Sequence, residues 1–103
     1  MVKYNKLVRD GIPVIVHAQG KKTVIHTADH DEYRRKLLEK LQEEVHEFIQ
    51  VQNSEELADI LEVLHALAHV HDVSFADIEK IRVKKAKDRG TFEKRIILDE
   101  VYE

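Results

Sequence analysis

Through the middle of this chain the apolar residues fall three and four positions apart, the period of an α-helix rather than the alternation of a strand. Leu37, Leu38, Leu41, Val45, Phe48 and Ile49 form one such series. Ahead of it, Asp29-His30-Asp31-Glu32 has the spacing of a capping box, so a long helix is expected from there to about Gln52. Asn53 or Ser54 caps a second helix, which reaches about Val70 and carries Leu57, Ile60, Leu61, Val63, Leu64, Leu67, Ala68 and Val70. These cover about half the helical wheel, more than a surface helix needs, so this helix should be central and touch a second subunit. Ser74 with Asp77 starts a third helix, which runs to about Arg89 and stops at Gly90.

The ends are less regular. Arg9-Asp10-Gly11-Ile12-Pro13 reads as a turn, with Pro13 opening a short helix through Val14, Ile15 and Val16 and Gly20 at its stop. Lys22 to Thr27 is rich in β-branched residues and reads as a short extended segment. Thr91 to Glu103 fits a short helix and a short strand equally. The expectation is one all-α domain over residues 1–103: an antiparallel helical bundle with short irregular or extended terminal segments. A chain this short has a poor surface-to-volume ratio, so oligomerisation is expected to complete the bundle.

The acidic residues change this picture. Glu44 and Glu47 lie three apart on the first long helix, and Glu56 and Asp59 three apart on the second, which puts each pair on one face. The short break Gln52-Asn53-Ser54 turns the chain back, so the pairs face each other. Projected at ~100° per residue, Glu44 falls inside the apolar arc, with Glu47 slightly further out on the same side. Glu43 points to the far side, near Gln42 and His46. Glu56 falls inside the arc of the second helix, and Asp59 lies at its edge. Burying an unpaired carboxylate is costly, so inward acids call for a cation or for hydrogen bonds. Four converging carboxylates make an oxygen cage suited to a hard divalent cation, Mg²⁺ first and Mn²⁺ second.

Composition narrows the function classes. The net charge of −3 argues against a nucleic-acid polymer as partner. With no cysteine, disulfides, thiolate metal sites and a cysteine nucleophile are excluded. No apolar run is long enough to span a bilayer, and the N-terminus has no signal-like apolar region, so the cytoplasm is the expected compartment. His65 and His69 stand four apart but project to the polar side, away from Glu44 and Glu56, and read as surface residues. On the third helix, Arg82, Lys85 and Arg89 share the arc of Phe75, Ile78, Ile81 and Ala86 and are candidates to bind an anion near the cage.

A carboxylate cage repels a triphosphate until Mg²⁺ stands between them, bridging protein oxygens to phosphate oxygens. Two or three such ions would neutralise the phosphates and lower the pKa of a water poised for in-line attack. Glu44-x-x-Glu47 followed by Glu56-x-x-Asp59 resembles the ExxE…ExxD signature of the all-α nucleoside triphosphate pyrophosphohydrolases. Tyr4-Asn5-Lys6-Leu7-Val8-Arg9-Asp10 and Lys85-Ala86-Lys87-Asp88-Arg89-Gly90-Thr91-Phe92-Glu93-Lys94 resemble a compact MazG-like subgroup of house-cleaning enzymes. The spacer between the acidic pairs is shorter than in many members. The resemblance implies a helical bundle forming a homodimer or homotetramer, Mg²⁺ dependence, and hydrolysis of a nucleoside triphosphate between its α- and β-phosphates. It implies Glu44, Glu47, Glu56 and Asp59 as metal ligands, with Glu43, Glu44 and Glu47 as the catalytic acids. Lys85 and Arg89 would contact phosphate, and Lys6 and Arg9 in the basic N-terminal arm join them as candidates.

Acids three apart on a charge-rich helix are most often a solvated face. Glu56 also completes a capping box if Asn53 is the cap. Two rival readings therefore stand beside the pyrophosphohydrolase: a phosphoribosyl-ATP pyrophosphohydrolase, and a non-catalytic helical oligomerisation or regulatory module.

Overall fold

Four α-helices and no strand form in the order the pattern predicts, and their ends are set by identifiable caps. In the computed structural model, which describes residues 1–103, α1 spans Ile12–Ala18, α2 His30–Val51, α3 Ser54–Val70 and α4 Phe75–Arg89. Pro13 sits in the first turn of α1, where its missing N–H costs nothing. Asp29 caps α2 by accepting from the Glu32 amide at 2.8 Å, Asn53 caps α3 through the Glu56 amide at 3.0 Å, and Ser74 caps α4 through the Asp77 amide at 3.0 Å. Each cap satisfies an amide that the helix itself leaves without an acceptor.

The α2–α3 hairpin is the frame of the molecule. Gln52 adopts a left-handed backbone with φ 56°, which ends α2, and its amide still reaches the Phe48 carbonyl at 2.7 Å. Asn53 then opens α3 at once. With only these two residues between them, the helices run antiparallel and pack along their length. α4 packs against α3 after a turn in which Asp72 takes φ 56°, and α1 stands apart from the other helices.

Two segments differ from the pattern. Lys22 to Thr27 is not helical but pairs with no strand, because the chain offers no second edge to bond its backbone. Thr91 to Glu103 forms neither helix nor strand, and its apolar residues Phe92, Ile96, Ile97, Leu98, Val101 and Tyr102 are all exposed.

Very little of the chain is covered. Leu37, Val63 and Ala68 are the buried apolar residues, joined by one acid, Glu44. The radius of gyration is 18.3 Å, against about 13 Å for a compact domain of this length. Within the apolar arcs, Leu41, Phe48, Ile60 and Leu67 are half-buried, while Leu38, Val45 and Ile49 on α2 and Leu57, Leu61 and Leu64 on α3 remain exposed. No helix is long and apolar enough to cross a membrane.

Candidate metal centre

The hairpin brings acids from both helices together near its closed end. Carboxylate oxygens of Glu44, Glu56 and Asp59 all lie within 4.8 Å of one another. Glu44 is only 6% exposed, and its Oε2 is buried with no hydrogen-bond partner. The Oε2 of Glu56 is buried without a partner as well. The reason is local: the helical spacing turns Glu44 onto the face that α3 covers, and Glu56 and Asp59 are on the facing turns of α3. A buried, unpartnered carboxylate oxygen is destabilising by itself. Two such oxygens converging with a third carboxylate fit a hard cation, whose charge would supply the missing partner. Glu47 lies outside that trio. It stands close enough to Glu56 and Glu44 for its charge to act on both.

The local field shifts the acids in opposite directions. Burial pushes the Glu44 pKa up. Its bond to Lys40 pulls the other way without cancelling the rise, and the charges of Glu47 and Asp59 add to it. The Glu56 pKa is also raised, first by loss of hydration and then by repulsion from Glu47, Asp59 and Glu44. Glu43 behaves differently. Burial acts to raise it, but the hydrogen bonds from Lys6 and Lys40 prevail and hold it below the usual carboxylate range.

A chain of alternating charges links these acids to the N-terminal arm. Lys6 Nζ donates to Glu43 Oε1 at 3.0 Å, and Lys40 Nζ reaches Glu43 Oε2 at 3.3 Å and Glu44 Oε1 at 3.2 Å. Burial alone would lower the Lys40 pKa, but its two carboxylate partners outweigh that and raise it. On the other side, Arg9 Nη2 pairs with Asp59 Oδ1 at 2.8 Å, and Lys36 Nζ donates to the Asn5 carbonyl at 2.8 Å. The arm is thereby strapped across both helices and walls a cleft of 370 Å³. Arg9, Lys40, Glu44 and Asp59 line its charged part, and Tyr33, Leu37, Val63 and Ala66 its apolar part.

Each expected site residue can now be located. Glu44, Glu56 and Asp59 converge, with Glu47 adjacent. Glu43, on the far side of the wheel, is half-buried because the arm covers it through Lys6. Arg9 reaches Asp59 of the centre directly, and Lys6 reaches Glu43 beside it. Lys85 and Arg89 are exposed on α4 and line neither the cleft nor the cluster, and Arg82 pairs with Glu79. The α4 arc that aligns these cations with Phe75 and Ile78 therefore does not bring them inward within one chain. Of the seven histidines none joins the cluster, and His65 stacks on Phe75 with ring centroids 3.7 Å apart. Lys40 is the residue that the reading of the acids overlooks. Its signal is in the sequence: it precedes Glu43 by three and Glu44 by four, the spacings at which helical side chains pair.

Comparison with protein-family models, with curated proteins and with solved structures gives no match for this chain.

Proposed function

We propose that this chain is a divalent-cation-dependent nucleoside triphosphate pyrophosphohydrolase of the MazG-like kind, working as a homodimer or homotetramer. The observation that carries the reading is that Glu44 and Glu56, each with a buried and unpartnered Oε2, converge with Asp59. A module kept for assembly alone gains nothing from holding acids in that state, and a cation removes the cost. Glu44, Glu56 and Asp59 would hold Mg²⁺ (or Mn²⁺), with Glu47 within reach of the same centre, and the ion would supply the positive charge that makes a triphosphate tolerable beside these acids.

The chain's own residues do the rest. Arg9 and Lys6 line up beside the centre and take phosphate oxygens as the substrate enters, each leaving or sharing its carboxylate partner. The oxygen of a water bonds to a phosphorus as the bond to the α,β-bridging oxygen breaks, giving the monophosphate and pyrophosphate. Glu47, beside the trio rather than in it, accepts the proton that this water loses. Glu43 is kept anionic by Lys6 and Lys40 and fixes both lysines.

Surface area supports assembly. The chain exposes 9643 Å², against about 6,000 Å² for a folded monomer of its 12.1 kDa mass. The excess is of the size that obligate partners cover.

The test is a screen of normal and modified nucleoside triphosphates with Mg²⁺, with added pyrophosphatase to report the product. Hydrolysis to monophosphate is expected for at least one substrate. In Glu44→Gln it should fall by more than about a hundredfold, beyond what loss of an outer-sphere partner costs. Full activity in that variant, or no hydrolysis of any triphosphate by the folded protein, would end this reading.

A further inference from the structure

The charges around the cluster almost balance, and the remainder is informative. Glu43, Glu44, Glu47, Glu56 and Asp59 supply five negative charges, and Lys6, Lys40 and Arg9, each bonded to one or two of them, supply three positive ones, which leaves −2. Asp10 and Glu62 also border the cleft, but neither is joined to the cluster by a hydrogen bond or an ion pair as Lys6, Lys40 and Arg9 are. Lys40 has the least exposed of the three cationic side chains, at 18%, and it lies between Glu43 and Glu44. It uses Oε1 of Glu44 and leaves Oε2 buried without a partner. Lys40 thus occupies the place between Glu43 and Glu44 where a second cation would otherwise be drawn.

We propose that the free protein takes one divalent cation, held by Glu44, Glu56 and Asp59, and that Lys40 sets this number by standing in for a second ion. This rests on the cage being a cation site, and it adds the stoichiometry and the residue that controls it. One divalent ion cancels the residual −2, and a second would meet a neutral site with no net charge left to draw it. Further ions enter only with the phosphates, which bring their own negative charge. Lys40 therefore weakens cation binding at rest while preserving the geometry of the carboxylate that binds.

Mn²⁺, as hard and as oxygen-seeking as Mg²⁺, is the probe. Its free electron paramagnetic resonance signal is followed during titration of the full chain without nucleotide. One ion per chain is expected in the wild type. Lys40→Met removes a positive charge next to the ion and vacates its place, so the first ion should bind about tenfold tighter and a second should bind as well. Lys40→Arg should bind as the wild type does. The double variant Lys40→Met/Glu43→Gln restores the charge of −2 and should return the affinity to within about threefold of wild type. Circular dichroism checks each fold; if Lys40→Met loses helix, Lys40→Gln, equally neutral, takes its place. Two ions in the wild type would overturn the proposal, as would unchanged or weaker binding in the neutral variants. Absence of Mn²⁺ binding in every variant would overturn the cage itself, whereas one ion with an affinity indifferent to Lys40 would overturn only this inference.

Discussion

Helix α2 presents two faces that invert the usual order of burial. On the face against α3 an acid, Glu44, is 6% exposed, while on another face Ile49, five residues on, is 58% exposed, with Val45 and Leu38 exposed beside it. α3 repeats the inversion: Glu56 has a buried oxygen, yet Leu57, Leu61 and Leu64 face solvent. Burying a charge and exposing aliphatic side chains both cost free energy. On the proposed function the two faces take different partners: the acidic one a cation, the apolar one more protein. A single chain supplies neither.

The apolar face gives the largest expected effect. Ile49→Asp and Leu61→Asp place charges in the exposed stripe, each at the expense of roughly 1.5–3 kcal/mol of burial in the assembly. Sedimentation should show the wild type at two or four times its 12.1 kDa mass and the double variant shifted to monomer, with a lower melting temperature. A wild type that is monomeric at micromolar concentration would leave the exposed stripe without a partner and break the comparison.

The acidic face predicts a pH dependence of stability. Glu44 and Glu56 have pKa values raised above the ordinary 4.5, so the folded protein holds their protons more tightly than the unfolded chain does. In metal-free protein their effect is that stability is greatest near and below that ordinary value and falls as pH rises through the raised pKa values. Glu43, depressed, acts oppositely: its contribution is present above the ordinary value and is lost as pH falls through its lowered pKa. Urea melts with chelator should therefore show the midpoint falling from about pH 5 toward neutrality, and Mg²⁺ should remove or reverse that slope. A midpoint that rises steadily with pH in chelator would mean that the acids are not destabilising.

Much of this frame is legible in the residues themselves. Asp29, Asn53, Ser74 and Gly90 announce the helix ends because capping is local chemistry, readable over three or four residues. The convergence of Glu44 with Glu56 and Asp59 follows from helical period plus a short turn. What escapes is whatever depends on contacts distant in sequence. The strap that carries Lys6 to Glu43 and Arg9 to Asp59 spans 37 and 50 residues, and no periodicity encodes it. The wheel places Lys85 and Arg89 beside apolar residues, yet α4 buries none of them fully: Phe75, Ile78 and Ala86 are half-buried and Ile81 is exposed, so sharing their arc does not bring a long side chain inward.

The smallest effect separates two pairs of cations. Arg9→Ala and Lys6→Ala should raise the KM for a triphosphate about tenfold, the value of a charge-assisted hydrogen bond. Lys85→Ala and Arg89→Ala should change it by less than about threefold. Equal losses in both pairs would give α4 a share in holding phosphate, through a second copy of the chain.

The most direct measurement is anomalous diffraction from crystals of the chain grown with Mn²⁺. A peak bounded by Glu44, Glu56 and Asp59, with oxygens at about 2.1–2.2 Å, is the predicted result. A cluster with no peak at saturating Mn²⁺, or with its carboxylates bonded only to protein and water, would contradict the account.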